Sequence, residues 1–94
     1  MLNISECQLD DLSGIEKFTK LKELNASCNC LCDASKLAKL SQMLVLDLHK
    51  NFFKNIDFLL EMTNLEVLDL SNVRTLVDIS PLKMNKKMKK LSLY

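Results

Sequence analysis

Apolar positions recur along this chain with a fixed period. Leu2, Leu24, Leu46 and Leu68 lie 22 residues apart, and Ile4, Ala26, Leu48 and Leu70 keep the same step. The same spacing runs through Leu21, Met43 and Leu65, and through Leu9, Leu31 and Phe53. Three further columns follow it: Leu12, Ala34, Ile56; Ile15, Leu37, Leu59; and Phe18, Leu40, Met62. After Val73 the register slips by one and resumes at Leu76, Ile79, Leu82, Met88, Leu91 and Leu93, so the fourth unit is 23 residues long. Asn85 is a polar lapse in the column of Phe18, Leu40 and Met62. The triplets Leu24-Asn25-Ala26, Leu46-Asp47-Leu48 and Leu68-Asp69-Leu70 alternate apolar and polar residues, as a short strand with one buried face does. Between strands, Ser13 followed by Glu16 can form a capping box, and Ser80 precedes Pro81, a favoured first helical residue. Short helical or 3-10 turns are expected near residues 14–19, 36–41, 58–62 and 82–87. With one Gly and one Pro in the chain, the remaining turns fall to Asn, Asp and Ser.

The stretches Leu21-x-x-Leu24-x-Ala26-x-x-Asn29 and Met43-x-x-Leu46-x-Leu48-x-x-Asn51 fit the pattern L-x-x-L-x-L-x-x-N. That pattern, at a period of about 20–29 residues, is the leucine-rich repeat signature. The chain resembles the leucine-rich repeat family over essentially its whole length. Its 22-residue step and the segment Asp78-Ile79-Ser80-Pro81-Leu82 are similar to the short-repeat subclass. That subclass includes a phosphatase regulatory subunit, an axonemal dynein light chain, a spliceosomal scaffold subunit and the bacterial internalins. The D-I-S-P-L unit is also similar to repeats of protozoan and bacterial surface proteins. The resemblance implies an α/β leucine-rich repeat solenoid. A short parallel β-sheet would line the concave face and short helical or 3-10 turns the convex face. One domain over 1–94 is expected, with about four repeats starting near 1, 21, 43 and 65 and a partial fifth from 88. Asn29 and Asn51 are then inward structural residues, and no catalytic residue is inherited. Departures at Cys7, Ala26, Val73 and Asn85 mark a divergent array.

Composition narrows the class. Hydrophobic residues make up 48% and charged residues 27% of 94 residues, which describes a folded chain rather than a disordered one. No apolar run approaches the ~18 residues a membrane span requires. The opening MLNISECQLD has no basic start or apolar core, so no secretion signal is visible. Four cysteines then fit thiols in a reducing compartment, which favours the cytoplasm. A nuclear protein, or a secreted one whose signal was removed, fits the same composition. Neither end shows a polar cap, although a stack of repeats needs one to stay soluble. The chain is thus expected to be part of something longer, or to associate end to end. Residues 1–47 carry a net −2 and residues 48–94 a net +3, most of it from Lys83, Lys86, Lys87, Lys89 and Lys90.

The cysteines cluster as Cys28-Asn29-Cys30-Leu31-Cys32. With Leu31 inward, the three sulfurs alternate outward, about 6.5–7 Å apart along an extended segment. A tetrahedral zinc site holds sulfurs about 2.3 Å from the metal, so these three would need a sharp bend, and the one histidine, His49, belongs to another column. The expectation is therefore no metal and no cofactor, with Cys7 buried in the place of Asn.

Three surfaces are candidates for binding. The concave face would present Glu23, Asn25, Val45, Asp47, His49, Val67, Asp69 and Ser71. Of these, Val45, Val67 and His49 break an otherwise polar pattern. Phe52, Phe58 and Leu60 occupy columns that are polar or small elsewhere and suggest a second contact area. Lys86, Lys87 and Lys90 could meet phosphate. The reading is a non-catalytic protein–protein interaction scaffold. A ribonucleoprotein subunit that meets RNA through the lysine run is the alternative. No phosphate loop, metal quartet or hydrolase elbow supports an enzyme.

Overall fold

A computed structural model describes residues 1–76 and 79–93, with the backbone alone at Lys83 and Met84. Among these residues are five short strands: β1 Leu2–Asn3, β2 Glu23–Asn25, β3 Val45–Asp47, β4 Val67–Asp69 and β5 Lys90–Ser92. They form one sheet in chain order, and every neighbouring pair is parallel. Leu2 pairs with Leu24, Leu24 with Leu46, Leu46 with Leu68, and Leu68 with Leu91. The last step is 23 residues instead of 22, so the extra residue is taken up between strands and the pairing is kept.

Each return segment carries one 3-10 helix: η1 Ile15–Lys17, η2 Ser35–Lys39, η3 Asp57–Glu61 and η4 Ser80–Met84. An Asx turn prepares the first three. Asp11 accepts the Ser13 N–H, Asp33 the Ser35 N–H and Asn55 the Asp57 N–H. The capping box expected at Ser13 does not form. Gly14 takes the N-cap with φ 96°, a left-handed geometry suited to glycine. Glu16 bonds the Gly14 N–H, while the Ser13 N–H goes to Asp11. Asp78 and Tyr94 lie outside the described residues.

Between sheet and helices runs one apolar core, including Leu24, Leu37, Leu46, Phe53, Met62 and Leu68. Fully burying such a side chain stabilises by roughly 1.5–3 kcal/mol. Burial depends on having a coil on both sides. Leu40 and Met62 are 0% exposed, whereas Phe18, in the same column of the first coil, is 54% exposed. Ile79 and Leu91, expected inward, are exposed for the same reason at the other end.

Two asparagines tie coil to coil. Asn29 Oδ1 accepts the N–H groups of Cys7 and Leu9, and its Nδ2 donates to the carbonyls of Ile4, Ala26 and Ser27. Asn51 repeats the arrangement on Leu31, Ala26, Leu48 and His49. Cys7, expected to be buried in this column, is exposed, and its thiol turns to the Ser5 carbonyl at 3.2 Å. A thiol is too short to span two coils as the Asn amide does, and no described coil covers it from outside. Val73 fills the column as a buried apolar residue, while Thr75 Oγ1 donates to the Phe53 carbonyl at 2.7 Å.

Candidate functional site

After each of the first four strands the chain turns through a left-handed residue. Glu6, Cys28, Lys50 and Asn72 have φ between 53° and 57° and succeed one another at the repeat step. Only Asn72 is a residue type that visits this region readily among non-glycines. Just before it, an Asx turn recurs in each coil. Asn3, Asn25 and Asp69 accept both the backbone N–H and the hydroxyl of Ser5, Ser27 and Ser71. Asp47 does the same for His49, with the ring Nδ1 at 2.6 Å where the other coils place a hydroxyl. The Asn/Asp row of the concave face is therefore engaged in holding the turns.

His49 stands in a serine column, and this gives it chemistry the serines lack. A carboxylate only accepts, so Nδ1 carries the proton shared with Asp47, and in the neutral ring Nε2 is then the acceptor. Asp69 Oδ2 lies 3.9 Å from Nδ1 on the other side. Cys28 Sγ lies 3.7 Å from Nε2. Thiol, imidazole and carboxylate thus lie in sequence across two adjacent coils. Asp47, His49 and Asp69 each offer a ligand atom within 4.8 Å of the others. Nδ1 is already engaged with Asp47, and one oxygen of each carboxylate already holds a turn amide. The set is complete as a hydrogen-bonded turn ladder.

Val45 and Val67 pair across β3 and β4 and are half-buried, forming an apolar strip next to the Asp47–Asp69 pair on the same face. Glu23 pairs with Val45 and is exposed, and Asn25 is half-buried next to the buried Ser27. Ser71 is buried under its bond to Asp69. Along the outer rim of the same turns runs a cleft of about 520 Å³ lined by Cys28, Cys30, Lys50, Phe52, Asn72 and Arg74.

The second surface is smaller than the sequence suggests. Phe52 and Leu60 are 50% and 45% exposed, but Phe58 is buried at 5%, its ring centroid 6.1 Å from that of Phe53. On a 3-10 helix the side chains at three-residue spacing eclipse, which stacks Ile56, Leu59 and Met62 inward and leaves Leu60 outside with Asp57, while Phe58 is covered by its contact with Phe53. Lys90 opens β5 on the sheet, whereas Lys86 and Lys87 sit in the turn before it. Lys87 Nζ donates to Asn64 Oδ1 at 2.8 Å, and Lys89 pairs with Glu66 at 3.5 Å.

Alternation along the chain says of Cys28 only that it points outward, and the signal that marks it is the replacement of Ser by His at position 49 in the neighbouring coil.

The chain is similar to leucine-rich repeat-containing protein 56 of mouse, with 42% identity over 67 residues, 71% of this chain. The human protein of that name is 43% identical over 56 residues. The chain spans 12% of the length of the mouse protein. An internalin C2 of Listeria monocytogenes superposes with TM-score 0.85 at 27% identity, covering 93% of this chain and 38% of that one. A second internalin of the same bacterium, at 21% identity and TM-score 0.63, shares the fold. No family model matches the chain.

Proposed function

We infer that this chain, which belongs to the leucine-rich repeat family, is a non-catalytic scaffold that captures a protein partner on its concave sheet. The observation that supports this most directly is the Val45–Val67 pair. It is an apolar strip left half-exposed on a parallel sheet and bordered by Asp47 and Asp69. Strips of this kind on solenoids suit partner recognition. Four free thiols agree with a cytoplasmic location. Among the described residues no helix is long and apolar enough to cross a membrane.

Co-purification from native cell extract followed by mass spectrometry tests the reading. Capture is expected to survive nuclease and high salt and to be lost on Val67→Arg, with the fold retained by circular dichroism. Capture that survives Val67→Arg but disappears with nuclease, or with Lys86→Glu, Lys87→Glu and Lys90→Glu together, would replace this reading with RNA contact, whose salt sensitivity is characteristic.

A further inference from the structure

We propose that Cys28 is a modification site, a thiol made nucleophilic by His49 and poised for exchange with small carboxylate-bearing disulfides. The geometry follows the logic of nucleophile, base and orienting acid. Cys28 Sγ is 3.7 Å from His49 Nε2, and His49 Nδ1 is 2.6 Å from Asp47 Oδ1. Asp47 fixes the tautomer that leaves Nε2 free to take the thiol proton, so it acts as a positioning residue. Cys28 also lines the rim cleft, where Lys50 and Arg74 bring positive charge and Phe52 an aromatic face. These suit an anionic reagent of modest size, and they are a feature separate from the proton relay.

The disulfide reagent is itself the oxidant, so the exchange balances with no further redox partner. The Cys28 thiol passes its proton to Nε2 and the thiolate attacks one sulfur of the reagent. The reagent's S–S bond breaks as the mixed disulfide forms. The departing thiolate, now reduced, takes the proton back from His49. This property is independent of the partner face, because it needs no partner to be bound.

The chain supplies its own controls. Cys7, Cys30 and Cys32 are exposed, whereas Cys28 is only half-exposed, so access alone ranks Cys28 last. Under limiting iodoacetamide at neutral pH, site-resolved mass spectrometry is expected to show Cys28 reacting about tenfold faster than the other three. His49→Gln should bring Cys28 down to their level and leave Cys30 unchanged, and a His49→Ala variant should regain rate with added imidazole. The charged and titratable groups facing the ring among the described residues are Asp47, Asp69 and Cys28. Asp47→Asn, which keeps the turn acceptor, should shift the pH profile of Cys28 without shifting that of Cys30. A Cys28 rate no higher than that of Cys30, or one indifferent to His49→Gln, would overturn the proposal. For the reagent class, Arg74→Gln should slow dithiobis(nitrobenzoate), an anionic aromatic disulfide, and spare neutral iodoacetamide. Equal effects on both reagents would sink the carboxylate preference.

Discussion

Without its side-chain amide, position 51 would leave the Leu31 N–H and the Leu48 carbonyl to find other partners inside the core, while the Ala26 carbonyl would keep only its bond from Asn29. Because Asn51 is buried, water cannot take over freely. Asn51→Ala is expected to destabilise by on the order of 3 kcal/mol, several net hydrogen bonds plus the desolvation of what remains. Urea unfolding monitored by circular dichroism measures this, and a loss below that of an exposed control such as Thr63→Ala would contradict it. The role of Asn51 was legible in the sequence, because its column and spacing are those of the family. The coupling of Cys28 to His49 was not. The two lie 21 positions apart, and alternation along an extended strand says only that Cys28 points outward. The left-handed turn at φ 57° is what re-aims that residue, and no propensity of cysteine announces such a turn.

At the level of single elements, the first two convex helices begin on acidic turns. Asp11 and Asp33 are held below the ordinary Asp value by the backbone N–H groups of Ser13 and Ser35. Glu16 is lowered by its own backbone N–H and then by that of Gly14. A carboxyl whose folded pKa is depressed contributes stability while it is ionised in both states, above its unfolded value. That contribution is lost as pH falls through the ordinary range, near 3.8 for Asp and 4.5 for Glu, and on through the lower folded values. Thermal melts between neutral and acid pH should therefore show Tm falling below that range. Asp33→Asn, which keeps an acceptor without a titrating proton, should make the fall shallower, and an unchanged slope would count against the turn as its source. The existence of these helices was readable from the apolar columns. Their type and their start were not, since a turn of three to five residues is decided by which acceptor reaches which amide. At η1, Asp11 and Glu16 won that competition and Ser13 did not.

For the molecule as a whole, stability is a matter of neighbours. Leu46 lies between Leu24 and Leu68 and is buried, while Leu2 has a partner on one side and is half-buried. Leu46→Ala is expected to cost about 2–5 kcal/mol, within the range of buried Leu truncations. Leu2→Ala should cost less than about half of that, since less apolar surface is at stake. Chemical denaturation of the two variants decides it, and equal losses would mean that the stack does not behave as coils supporting their neighbours. The same principle explains where reading columns from the sequence failed. Phe18 and Leu91 belong to apolar columns as surely as Leu40 and Leu68, yet they are exposed, because a column describes what a side chain would face if another coil were there.

The 23-residue step that still sets Leu91 beside Leu68 has a wider consequence. Backbone bonding between strands acts as a ruler that ignores the length of what lies between its marks. A gene built on such a ruler can duplicate or lose whole coils, and lengthen or shorten its loops, while every side chain keeps the side it already faces. Reach toward a larger target and the choice of contact residues can then evolve separately.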